Sequence, residues 1–315
     1  MLHLDAEAVA ARLGRQPLID ALERALRCDC QVPPRQIYAV GGAESAGGTL
    51  LIMPAWQPGA SIGVKLVTVY PQNSAVGRTA VHATYTLFDA ATGAPRATLD
   101  GTELTRRRTG AASALACRYL SNPEASRLLM VGTGSLAPHL IESHALVRPI
   151  RQVRVWGRRT ERANAIAKAL AGRHYHVDAV DDLEAGVRWA DIISCATLAA
   201  EPIVRGAWLR PGQHLDLVGS FTPQMREADD EALGRAAIFV DTRAGALAES
   251  GELLRALASG SLTAADIRGD LRDLVCGASS GRSAREEITL FKSVGSAIED
   301  LAAAELALSV DGGIR

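Results

Sequence analysis

Lysine is nearly absent from this chain of 315 residues: 31 of the 34 basic side chains are arginine, and only Lys65, Lys168 and Lys292 are not. Net charge is missing too. Thirty-four Lys and Arg against 35 Asp and Glu leave −1, which offers no electrostatic footprint for nucleic acid. No uninterrupted run of about 18 apolar residues occurs, which argues against a membrane-spanning helix. Residues 1–16 carry acids inside their apolar stretch and no secretory pattern, so a cytoplasmic protein is expected. The five cysteines form no CxxC pair and no zinc-type Cys/His spacing. Cys28-Asp-Cys30 reads as two unbonded thiols in a reducing compartment. His174 and His176 share a strand face without an acidic or Cys partner at metal spacing, so no metal site is expected.

What is present is ordinary for a globular protein, at 48% hydrophobic and 22% charged. The length suits one domain or two. The scarcity of lysine makes the remaining ones informative. Arg and Lys differ where a compact ammonium or a movable proton is wanted. Lys168 lies in a polar helical stretch, but Lys65 and Lys292 lie in apolar, Gly-containing segments.

Helical periodicity covers residues 5–28, with Val9, Leu13, Leu18, Leu22 and Leu26 on one side. Short β-rich runs follow at 37–40, 49–53, 62–70 and 81–88, separated by turn residues; they predict an antiparallel sheet, then a helix near 113–120. From about 125, short apolar runs at 128–131, 153–156, 192–194, 215–218 and 238–240 alternate with helical stretches. That alternation predicts a doubly wound parallel sheet of the Rossmann type. The segment 288–310 starts apolar and continues as an Ala/Leu helix that should pack on the N-terminal sheet. The expected organisation is a discontinuous α+β substrate-binding and dimerisation domain (1–118 and 288–315) around a dinucleotide-binding domain (119–287). The acidic run 227–231 reads as a helix start, where carboxylates meet the positive end of the dipole.

The strongest local motif is Gly132-Thr-Gly134-Ser-Leu-Ala137, entered from an apolar strand and left through a helical pattern. Gly132 permits a tight turn, Gly134 lets the backbone approach a pyrophosphate, and Ala137 allows close helix–strand contact. The second strand ends in Gly157-Arg158-Arg159-Thr160 instead of the acid that would accept from a ribose 2′-hydroxyl. Two guanidiniums and a hydroxyl suit a 2′-phosphate, which favours NADPH, with NADH as the alternative.

Beyond that turn, the chain resembles the ornithine cyclodeaminase/mu-crystallin family over nearly its whole length. The resemblance is carried by Met53-Pro54-Ala55-Trp56, Gly63-Val-Lys65, Leu99-Asp100-Gly101, Arg108-Thr109 with Ser113-Ala-Leu-Ala116, Val218-Gly219-Ser220, Arg226-Glu227 and Phe291-Lys-Ser-Val-Gly295. It implies a homodimer, a nicotinamide cofactor, and chemistry at the α-carbon of a small amino or imino acid. Arg35, Lys65 and Arg108 match positions that hold the substrate carboxylate, and guanidiniums suit that task by bidentate bonding. Lys65 would also stand beside the substrate nitrogen, and Lys65 or a bound water would be the catalytic acid. Met53 and Val294 match substrate positions. Thr109, Ser135, Leu136, Thr197, Gly219, Ser220, Lys292 and Ser293 match cofactor positions.

One departure matters. Cyclodeaminases of the family carry a catalytic Asp after the fifth strand of the parallel sheet, where this chain has Phe221. Phenylalanine moves no proton, so cyclodeaminase activity is disfavoured. The Gly219-Ser-x-Thr-Pro-x-x-Arg-Glu227 form, with 32–38 and 144–150, looks most like the bacterial Δ1-pyrroline-2-carboxylate reductases. The implied reaction is reduction of Δ1-pyrroline-2-carboxylate or Δ1-piperideine-2-carboxylate to proline or pipecolate. The alternatives are ornithine cyclodeamination, an alanine-dehydrogenase-like oxidoreduction, and a mu-crystallin-like protein that binds NADPH and a ligand.

Overall fold

The computed structural model describes residues 1–41 and 47–309, so the last residue of the 288–310 segment and the five beyond it lie outside the described residues. The chain forms two compact units, Met1–Arg108 with Ser296–Arg315, and Thr109–Gly295. None of the helices among the described residues is long and apolar enough to cross a membrane.

The first unit opens with β1 (Leu2–Leu4), α1 (Ala6–Arg12) and α2 (Arg15–Arg27). The helical stretch predicted over 5–28 is thus two helices, broken at Leu13 and Gly14. A meander follows: β2 (Gln36–Val40), β3 (Gly48–Gln57), β4 (Ser61–Val69), β5 (Val81–Asp89) and β6 (Pro95–Asp100). The sheet order is β1-β6-β5-β4-β3-β2, antiparallel except for the parallel β1–β6 pair. Strands β1 and β6 are additions to the sequence reading; both are short and lie on the side of the sheet remote from β2. Helix α3 (Gly101–Leu120) begins well before the predicted 113, because Asp100 accepts from the Glu103 N–H at 2.7 Å and caps it.

Period-2 alternation puts Met53, Ala55, Gly63, Lys65, Tyr85, Leu87, Ala97 and Leu99 on the buried sheet face. The apolar stripe of α2 (Leu18, Ile19, Leu22, Leu26) is buried as well.

The second unit holds β7 (Arg127–Val131), α4 (Ala137–Val147), β8 (Gln152–Trp156), α5 (Thr160–Ala169), β9 (His176–Val180), α6 (Leu183–Trp189), β10 (Ile192–Cys195) and β11 (His214–Leu217). It continues through α7 (Asp230–Arg235), β12 (Ala237–Val240), α8 (Arg243–Glu249), α9 (Gly251–Ser259), β13 (Ile267–Asp270), α10 (Leu271–Cys276) and β14 (Thr289–Lys292). The order β13-β12-β14-β11-β10-β7-β8-β9 is parallel at every pairing. All five predicted apolar runs are strands here. The apolar start of 288–310 is β14, a central strand of this sheet, and the rest is α11 (Ala297–Ser309) in the first unit, packed on α2, β3 and β4. Strand order reverses between β7 and β10, so the crevice beyond their carboxyl ends is the topological switch point where such sheets bind ligands.

A buried polar knot lies in this unit. Asp216 on β11, wholly inaccessible, accepts from Ser113 Oγ at 3.0 Å and Ser194 Oγ at 2.7 Å and pairs with His144 Nε2 at 3.1 Å. Burial by itself would lower the His144 pKa, but hydrogen bonding to Asp216 and Cys117 carries it up to about 10. The imidazolium and the Asp216 carboxylate form a buried ion pair within the apolar interior.

Candidate active site

In the first unit the ladder aligns Met53, Lys65, Tyr85 and Leu99 in one buried row across β3, β4, β5 and β6. Gly63 makes room for this row: a Cβ there would stand 1.8 Å from the Tyr85 hydroxyl and 3.1 Å from Leu301 Cδ1. Above the row α11 presents two acids. Lys65 Nζ is 2.7 Å from Asp300 Oδ2 and donates to Thr105 Oγ1 at 3.3 Å. Arg108, near the middle of α3, donates through Nε to Asp300 Oδ1 at 2.9 Å and through Nη1 to Glu299 Oε2 at 2.7 Å. Asp300 therefore bridges the two cations.

Burial lowers the Lys65 pKa to about 8; Asp300 opposes the fall, and the positive charges of Arg108 and then Arg35 add to it. Arg108 keeps its charge, since Asp300 and Glu299 outweigh the cost of its burial. Lys65 and Arg108 are balanced by Asp300 and Glu299, and Arg35, half-buried before β2, adds one positive charge. Such a cluster suits one incoming carboxylate, and Arg108 retains its Nη2 hydrogens for it. Lys65, with its proton held less tightly than usual, can exchange it near neutral pH.

In the second unit the loops after β7, β10 and β11 lie against one another. Gly132 has φ +119°, and a Cβ there would be 2.5 Å from the Ala196 carbonyl oxygen; a Cβ on Gly219 would be 2.1 Å from Thr197 N. Gly134 faces open space and Ser135 is exposed. Helix α4 starts at the buried Ala137, whose N–H donates to the Gly134 carbonyl at 3.1 Å, and Pro138 after it carries no N–H, so the start of this helix offers an anion chiefly the positive end of its dipole. This turn fits a dinucleotide pyrophosphate.

Arg158 and Arg159 are exposed beyond β8, and Thr160 opens α5. The segment Gly157-Arg158-Arg159-Thr160 holds no carboxylate of its own. The fold brings one: Thr160 Oγ1 donates to Asp181 Oδ1 at 2.6 Å from just past β9, which commits the hydroxyl hydrogen. Thr197 is half-buried after β10, while Gly219 and Ser220 are buried after β11 with Phe221 next to them. Lys292 is wholly inaccessible; its ammonium donates to the Ser220 carbonyl at 2.6 Å and to Ser220 Oγ and lies 3.3 Å from Glu252 Oε2. Asp241 at the end of β12 gathers Ser293 Oγ, Val294 N and Gly295 N at 2.6–2.9 Å, which shapes the loop after β14. Thr109 is buried within α3.

The amino-acid sequence matches the ornithine cyclodeaminase/mu-crystallin family over residues 3–308. The chain belongs to that family. It is 41% identical over 289 residues to a Δ1-pyrroline-2-carboxylate reductase of Paracoccus denitrificans, covering 91% of each chain. The solved structure of Thermococcus litoralis Δ1-pyrroline-2-carboxylate reductase in complex with NADH and L-proline superposes with a TM-score of 0.94 at 32% identity, over 99% of this chain and 98% of that one. An archaeal alanine dehydrogenase dimer with bound NAD follows at TM-score 0.91 and 29% identity, over 99% and 97%.

Sequence reading missed Asp300, Glu299, Asp241, Glu227 and Glu252. A signal existed for the first two. They stand next to each other inside a helix that is apolar on every side, and a buried acid needs a cationic partner.

Proposed function

We propose that the chain is an NAD(P)H-dependent oxidoreductase that reduces a cyclic imino acid, Δ1-pyrroline-2-carboxylate or its six-membered homologue, to the cyclic amino acid. The observation that carries this reading is the buried Lys65–Asp300–Arg108–Glu299 cluster, in a chain so similar to two reductases of that name. Arg108 and Arg35 would bind the substrate carboxylate, and Lys65 would give its proton to the ring nitrogen. Met53 and Val294 would border the ring. The residues at 132–137 would hold the pyrophosphate. When bound, the reduced nicotinamide supplies the hydride for the imine carbon. Phe221 brings no proton-transfer group to the loop after β11, which speaks for imine reduction over cyclodeamination. A homodimer belongs to the same reading, as in the alanine dehydrogenase.

The test is absorbance at 340 nm with NADPH and Δ1-pyrroline-2-carboxylate, beside ornithine with NAD and an ammonia readout. Loss of NADPH with the imine and no ammonia from ornithine is expected. Ammonia without imine reduction would overturn the proposal in favour of a cyclodeaminase.

NADPH is the preferred cofactor in this reading, because Arg158 and Arg159 stand exposed where a 2′-phosphate would meet them. Arg158→Ala should weaken NADPH binding by about ten- to a hundredfold, the ~1.5–3 kcal/mol of a hydrogen bond to a charged group, and leave NADH almost unchanged. Equal losses for both, read by cofactor fluorescence titration, would remove Arg158 from 2′-phosphate recognition.

A further inference from the structure

The acidic run 227–231 divides in the fold. Asp229 caps α7 by accepting from Ala232 N, and Asp230 and Glu231 lie in its first turn. Glu227 does nothing of the kind. It is wholly buried, and its two oxygens face the backbone of two separate loops. Oε1 accepts from Thr197 N at 2.7 Å and Thr197 Oγ1 at 2.9 Å, after β10. Oε2 accepts from Gly219 N at 2.8 Å and Ser220 N at 3.3 Å, after β11. A single carboxylate thus ties together loops whose glycine already requires contact closer than a methyl group would permit.

A second acid holds the first. Glu252 in α9 accepts from Glu227 N at 2.8 Å and from Ser220 Oγ at 2.5 Å through one oxygen, and its other oxygen faces Lys292. Glu227, Glu252, Lys292 and Ser220 are all inaccessible to solvent. We infer that Glu227 is a positioning residue for the dinucleotide, fixing Thr197 and Gly219–Ser220 in the conformation that receives it without touching it. The inference rests on the cofactor reading proposed above.

The charges around Glu227 make the clamp sensitive to pH. From β14 it faces Lys292, from α9 Glu252, and from β10 Cys195; on β11, Asp216 is held by His144. Arg226 beside it is bonded to Asp230 and the Ala228 carbonyl. One ammonium therefore serves two carboxylates. Burial raises Glu252 but Lys292 and the hydrogen bonds outweigh it and hold it low, while Cys195 is pushed well above its usual range by burial. Burial raises Glu227 to about 7, with Lys292 opposing and Glu252 adding to the rise. Once protonated, Glu227 presents a hydroxyl to N–H groups that need an acceptor, and the clamp opens. Cofactor affinity should thus be full above pH 7 and fall below it.

NADH is the probe, since it lacks the 2′-phosphate that would titrate in the same range. Its dissociation constant for the full chain, read by nicotinamide fluorescence, should rise about tenfold from pH 8 to pH 6. Glu227→Gln, which keeps the shape but cannot accept at both oxygens, should bind NADH about ten- to a hundredfold more weakly at pH 8 and show little change at pH 6. Wild-type affinity that is flat with pH would overturn the inference, even if the variant fails to fold. So would a folded Glu227→Gln protein with wild-type affinity, although the cofactor reading would then stand. No NADH or NADPH binding by the wild type would sink the cofactor reading and the inference with it.

Discussion

A Lys65→Met protein should still bind NADPH and should reduce Δ1-pyrroline-2-carboxylate about 10²–10⁴-fold more slowly, the usual loss on removing a positioned acid. Methionine keeps the length of the side chain in its buried row between Met53 and Tyr85. It removes the ammonium 2.7 Å from Asp300, so one buried carboxylate oxygen loses its cation. Some stability should go with it, and NADPH titration on the variant separates that effect from lost chemistry. The pH profile gives a second reading. Lys65 is a donor only while protonated, and its pKa of about 8 puts the change within reach. The wild-type reduction rate should therefore hold below pH 8 and fall about tenfold per unit above it, a limb missing from the variant. Near-wild-type turnover by Lys65→Met would take Lys65 out of the mechanism.

Asp216→Ala should destabilise the protein by about 3–5 kcal/mol, the range seen when one partner of a buried ion pair is removed. The variant leaves the His144 imidazole, Ser113 and Ser194 without their common acceptor in a wholly buried place. With about 2–4 °C lost per kcal/mol in a domain of this size, the melting temperature should fall by roughly 10 °C. The pair also predicts how stability follows pH. His144 is raised above its unfolded value of 6.5, so its contribution is complete below pH 6.5 and is lost as pH rises through about 10. Denaturant titrations of the wild type should show that loss and those of Asp216→Ala should not. An unchanged midpoint in the variant would mean that the interior relaxes around the missing charge.

The parts of the fold that were legible in the sequence are those where one physical demand acts alone. Strands buried on both faces are short and mostly apolar, so β7, β10, β11 and β12 stood out, and β8 showed through the alternation of its buried Val153 and Val155. The turn at Gly132 was legible because its backbone needs a positive φ and space that only glycine allows. Strand β13 reads Ile-Arg-Gly-Asp and lies at a sheet edge with half its residues buried, which leaves no run to detect. The candidate site was half legible. Lys65 and Arg108 came from lysine scarcity and family motifs, whereas Asp300 is 192 positions from Arg108, and no local pattern spans that distance. Glu227 shows the opposite failure: adjacency to Asp229–Glu231 suggested a helix start, but burial sets it apart from its neighbours.

The distance between Arg108 and Asp300 also has a meaning in time. A chain made at roughly 5–20 residues per second exposes Lys65 and Arg108 well before Asp300 and Glu299 are synthesised. In that interval the whole of Thr109–Gly295 emerges and can fold around its own core. The sheet of the first unit must wait for α11, because until then its lysine and arginine have no counter-charges and cannot be buried cheaply. Assembly of the Lys65–Arg108 cluster therefore waits until α11 has been made.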